Sequence, residues 1–249
     1  MNFSNHNFST NQRRKFIVIM AVKLILIRHG ESESNAQGKF SGFQDVDLTE
    51  RGVWQAERLA YRLREQPVDA VYCSDLKRAK HTAEIVFKNR GIEIIPNSEF
   101  REINFGAWEG FTWEEVRAKK GKHLEFRSWW ESIRVETNLP QGESLVDLNN
   151  RVTARLNQIL KKYEGRDKDQ TIGLVSHGGT IRVILGSALN LPLKYVWYIE
   201  QYSTALNIVN YYSERASVAL LNDTSHLEDW WENGLKNNYN VVRGEEEKK

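Results

Sequence analysis

The sequence predicts an α/β fold: a three-layer, doubly wound and mostly parallel sheet with helices on both faces. Two observations carry this. Short apolar runs at Val22 to Ile27, Ala70 to Cys73, Ile92 to Ile95 and Thr171 to Ser176 are unbroken rather than alternating. Strands covered on both faces read that way. Between them lie longer amphipathic segments with helix start signals, so strand and helix alternate along the chain. Thr204 to Asn210 and Ser217 to Leu221 are two further strand candidates, placed toward the edge of the sheet.

The helices follow from their caps. Thr49 caps a segment through Gln66, which Pro67 stops. Ser74 or Asp75 is expected to cap a helix to Asn89. Thr112-Trp113-Glu114-Glu115 and Ser144-Leu145-Val146-Asp147 have the capping-box pattern. Gly178-Gly179-Thr180 opens a helix through Leu189. Residues 104–140 lack a strand and carry Trp108, Trp113, Trp129 and Trp130, so they are expected to form a helical lid insertion. These tryptophans serve equally as an aromatic wall for an organic leaving group or as the lid's own core.

Composition narrows the function. A net charge of +2 over 249 residues gives no general attraction to nucleic acid. The single cysteine, Cys73, rules out a disulfide framework and a cysteine zinc cluster within the chain, and it points to a reducing cytoplasm. Its apolar surroundings read as packing. Arg13-Arg14-Lys15 before Phe16 to Val22 imitates a signal peptide, but no small-residue cleavage site follows and Lys23 interrupts the run. Residues 1–20 are expected to be a disordered or non-native extension, with Met20 as the start of the native chain. Residues 21–235 are expected to form one domain, and 236–249 a disordered charged tail. No apolar run is long enough to span a bilayer.

Ligands of open α/β sheets bind beyond the carboxyl ends of the strands. The first strand ends in Arg28-His29-Gly30-Glu31. The second leads to Ser74-Asp75-Leu76-Lys77-Arg78, and the fourth ends in Ser176-His177-Gly178-Gly179. Two arginines and two histidines therefore meet on one rim if these strands are neighbours. Arginine forks match phosphate oxygens, and the helix opening at Gly178 offers free N–H groups to an anion. A neutral imidazole can attack phosphorus, while the second histidine does better as a cation, so the two rings need different environments.

These motifs resemble the histidine phosphatase superfamily, the phosphoglycerate-mutase-like proteins. The resemblance rests on Leu26 to Glu31, Asn35, Phe40 to Asp45, Asp47 to Gly52, Ser74 to Ala79 with Thr82, Arg101 to Gly110, Gly142-Glu143-Ser144, Ser176 to Gly179 and Asn222 to Leu227. It implies His29 as the nucleophile, Glu102 as proton donor and then base, and His177 as a third catalytic residue. It also implies a phosphate and substrate site of Arg28, Asn35, Arg78, Ser41, Gly42 and Gly178. No metal and no cofactor are implied. Glu31 and Glu109 are expected to be structural, and His226 to be a turn or packing residue.

The implied activity is a metal-independent phosphomonoester hydrolase. It would act through phosphohistidine on a small phosphorylated metabolite, with no nucleic acid or membrane partner and a homodimer left open. Phe105 to Gly110 resembles the phosphatase branch, including broad-specificity and α-ribazole-type enzymes. Ser41 to Asp45 keeps a bisphosphoglycerate-dependent phosphoglycerate mutase as the alternative. A non-catalytic phospho-ligand binder is the reading from another class, and the presence of both His29 and Glu102 speaks against it.

Overall fold

A computed structural model describes residues 22–120, 135, 139–166 and 168–227. Six strands form one sheet: β1 (Val22–Arg28), β2 (Ala70–Ser74), β3 (Ile94–Asn97), β4 (Gln170–Ser176), β5 (Leu206–Tyr211) and β6 (Ala216–Asp223). Their order is β3-β2-β4-β1-β5-β6. Strands β3, β2, β4 and β1 pair in parallel, whereas β5 runs antiparallel to both β1 and β6. The helices are α1 (Glu33–Ala36), α2 (Glu50–Leu63), α3 (Lys77–Val86), α4 (Trp113–Lys120), α5 (Leu145–Tyr163) and α6 (Gly178–Ala188).

The pleat sends alternate side chains to opposite faces. Leu24 and Leu26 of β1 join Ile172, Leu174 and the inner faces of α5 and α6 in one core. Ile25 and Ile27 join Val71, Cys73 and the residues of α2 and α3 in the other. This is why the strands read as continuous apolar runs. Cys73 is fully buried, and desolvation pushes its thiol up to about 12.

Both capping boxes form. Ser144 exchanges bonds with Asp147 at the start of α5, and Thr112 with Glu115 at the start of α4. Thr49 accepts from Gly52 N at the start of α2.

Several expected boundaries move: α2 ends at Leu63 rather than Gln66, and α3 at Val86 rather than Asn89. The cap of α3 is Leu76, without a side-chain bond, because Ser74 Oγ accepts from Leu76 N and Asp75 pairs bidentately with Arg101. Strand β3 lies two residues later than expected and contains Pro96, which an edge strand tolerates. Strand β5 starts at Leu206 rather than Thr204, because Thr204 turns left-handed at φ 55°. Residues 1–20, 236–249 and, within the expected lid, 121–134 and 136–138, which include Trp129 and Trp130, lie outside the described residues.

Candidate active site

Because β2, β4 and β1 are neighbours and parallel, their carboxyl ends share one rim. The chain leaves β1 at His29, whose backbone is held from both sides. His29 N donates to Ser176 O at the end of β4 (2.9 Å), and Thr204 N donates to His29 O (3.2 Å) ahead of β5. The imidazole is 3% exposed. Its Nδ1 lies 2.6 Å from Gly30 O. A carbonyl only accepts, so Nδ1 carries the proton in the neutral ring and Nε2 keeps its lone pair.

His177 is fully buried, with its ring centroid 5.1 Å from that of His29. Among the described residues neither of its ring nitrogens has a hydrogen-bond partner. Burial first, then the charges of Arg78 and Arg28, hold His29 well below the usual histidine range. Burial and Arg78 do the same to His177. Two nearby cations act on both rings and disfavour the charged form of each.

Arg78 is 1% exposed. Its Nη1 donates to Gln44 O (2.7 Å) and its Nη2 to Gly42 O (2.8 Å). Desolvation lowers its pKa to about 10, so it stays cationic. Arg28 Nη1 donates to Gln201 O. The Nε atoms of both arginines are buried without a partner among the described residues.

Gly42 sits at φ 49°, and a Cβ there would meet Glu109 Oε1 at 1.9 Å. That approach lets Glu109 accept from Phe43 N and Phe105 N and fix the 41–45 loop, a structural task as expected. Ser41 is buried in the same loop. Asn35 Oδ1 is taken up by Ser32 in the α1 capping box, which leaves its amide nitrogen as the donor. Glu31 accepts from Thr49 and Arg51 and ties the β1 turn to α2.

Glu102 is half-buried. Its Oε1 accepts from Ile103 N (2.9 Å) and Gly179 N (2.9 Å), which places the carboxylate at the N-terminus of α6, next to Gly178 and His177. It attracts both Arg28 and Arg78.

Two arginines escaped the sequence reading. Arg151 of α5 donates to Glu99 O, Arg101 O and Glu102 O and pairs with both oxygens of Glu143, clamping the segment that carries Glu102. Gly142-Glu143-Ser144 signalled a helix cap but not this pairing. Arg182, one turn after Gly178, donates to Ile199 O (2.7 Å) and feels the charges of Arg28 and Glu102. Helical spacing from the His177 motif could have found it.

A family model described as Histidine phosphatase superfamily (branch 1) matches residues 24–224. The chain belongs to this superfamily. Among histidine phosphatases and their kin, phosphoserine phosphatase 1 of Hydrogenobacter thermophilus is 34% identical over 210 residues, covering 84% of this chain and 96% of that protein. The adenosylcobalamin/alpha-ribazole phosphatase of Salmonella typhimurium is 32% identical over 182 residues, covering 71% and 84%. The solved structure of Bacillus stearothermophilus YhfR superposes with a TM-score of 0.73 at 32% identity, covering 83% and 99%. Among the described residues, no cluster of three or more His, Cys, Asp or Glu side chains could hold a metal ion, and no helix is long and apolar enough to cross a membrane.

Proposed function

We propose that this histidine phosphatase hydrolyses small phosphomonoesters through a phosphohistidine on His29, without a metal, in the cytoplasm. One observation supports the reading above others: buried, unpartnered donors on Arg28, Arg78 and His177 surround a neutral histidine with a free Nε2 lone pair. Donors left without partners in a folded interior are costly, and an anion satisfies them together.

In this reading the arginines, His177, Asn35, the 41–42 loop and the N-terminal turn of α6 at Gly178 take the phosphoryl oxygens. His29 Nε2 attacks phosphorus, the P–O ester bond breaks, and Glu102 protonates the departing oxygen. Glu102 then takes a proton from water, the resulting hydroxide attacks the phosphohistidine, the P–N bond breaks, and inorganic phosphate leaves. An arriving dianion opposes the charges of Arg28 and Arg78 and raises His177, which becomes the cationic donor that transfer requires.

Hydrolysis is favoured over the mutase alternative by the two relatives named as phosphatases. Phosphoserine and α-ribazole phosphate are the first substrates to try. The test is phosphate release from p-nitrophenyl phosphate in EDTA by the unsubstituted protein and by His29→Ala. Turnover that EDTA leaves intact and His29→Ala abolishes, with inorganic phosphate still bound by the variant, supports the mechanism. Loss of turnover in EDTA overturns it.

A further inference from the structure

Among the described residues a third histidine is buried, His226, and it reaches His29 only through Thr204. It lies in a short turn, Ser225–Leu227, that closes the fold after β6. Arg58 Nε donates to His226 O (3.1 Å), and Arg62 holds Asp223 and Ser225, so the turn is fastened to α2. His226 Nε2 lies 3.0 Å from Thr204 Oγ1. Thr204 Oγ1 also donates to Ser203 O (2.7 Å). With that proton committed, Oγ1 accepts from His226, which fixes the Nε2–H tautomer.

Thr204 is itself unusual. It is fully buried and left-handed at φ 55°, a conformation that a β-branched residue adopts only under constraint. Strain of this kind persists where the surroundings over-determine it, and it gathers near functional sites. Here its consequence is direct. The turn aims Thr204 N at His29 O, and the next residue, Ala205, accepts from Arg28 N (3.2 Å). Two consecutive backbone bonds therefore hold the Arg28-His29 corner from the β5 side.

We propose that His226 is a positioning residue for phosphoryl transfer: its Nε2–H holds Thr204 in the left-handed turn that fixes the backbone of His29. The proposal rests on His29 being the nucleophile. It separates His226 from the phosphate pocket, so binding and turnover respond differently.

The test compares His226→Leu and Thr204→Ala with His226→Gln and Thr204→Ser, which retain a donor and a hydroxyl. Turnover of p-nitrophenyl phosphate and inhibition by inorganic phosphate are measured below the thermal transition of each variant. The first pair loses about ten-fold in kcat, with KM and phosphate inhibition unchanged, as expected for a nucleophile displaced by a fraction of an ångström. The second pair recovers most of that loss, and the double variant His226→Leu/Thr204→Ala is no slower than either single one. If His226→Leu does not fold, Thr204→Ala decides alone. Unchanged kcat with only a lower Tm overturns the proposal, as does a loss confined to KM. An unsubstituted chain without turnover overturns both this proposal and the phosphohistidine reading.

Discussion

Gly179→Ala separates catalysis from stability. A Cβ at this position would sit 2.3 Å from Glu102 Oε1 and 3.5 Å from Leu148 Cδ2. Ordinary contact begins at about 3.4 Å, so the carboxylate must retreat by about 1 Å. A misplacement of that size costs about 100-fold in rate. Gly179 is the second residue of α6, so alanine there brings only part of the preference over glycine, about 1 kcal/mol, that holds in a helix interior. The expected variant is therefore no less stable and about 100-fold slower on an alkyl phosphate such as phosphoserine, whose departing oxygen needs a proton. An aryl phosphate leaves without much help, so a rapid burst of p-nitrophenol survives. Phosphohistidine then accumulates, because the base for the second step is displaced. Rapid-quench kinetics with a parallel thermal melt reads both effects. A kcat within about three-fold of the unsubstituted enzyme on phosphoserine refutes the role given to Glu102, because the predicted loss is far larger.

Three further predictions follow the same geometry. Arg151→Met removes bonds to three backbone carbonyls and the Glu143 pair. It should lower stability by about 3 kcal/mol, measured by urea melts, because the partly buried Glu143 carboxylate loses its cation. His226, held at about 4 by burial, is neutral in the fold and titrates near 6.5 when unfolded. Its folded pKa is the depressed one, so its contribution is full above pH 6.5 and is lost as pH falls toward 4. The loss amounts to about 3 kcal/mol, and a pH series of melts should show it reduced in His226→Gln. Cys73 should resist iodoacetamide in the native state and react only on unfolding, as mass spectrometry would record.

The layers of the fold were legible because burial on both faces leaves a mark in each strand. Leu24 and Leu26 supply one core while Ile25 and Ile27 supply the other, and the run Val22 to Ile27 shows no polar gap at the centre. The lateral order of strands leaves no such mark. Nothing in Leu206 to Tyr211 says that it pairs antiparallel with β1, because an apolar run has no direction. The rim was legible because its charged residues follow immediately on the strands that place them. Arg151 was not, since it acts across 49 residues on a carbonyl that any residue at 102 would present. Thr204 was misread for a related reason: β-propensity describes a pleated surface, and here a left-handed turn ahead of the strand overrides it.

Arg78 carries a final consequence. Its guanidinium is stripped of water during folding and receives two backbone carbonyls in exchange. Those carbonyls belong to the loop between α1 and α2, so the placement of the Arg78 charge depends on that loop's conformation. The charge is then already oriented when a phosphate arrives, and little reorganisation remains for binding. The same charge makes the empty protein less stable than its packing alone would allow. Phosphate, vanadate or substrate should therefore act as a folding ligand, raising the melting temperature in proportion to the logarithm of its concentration once the site is saturated.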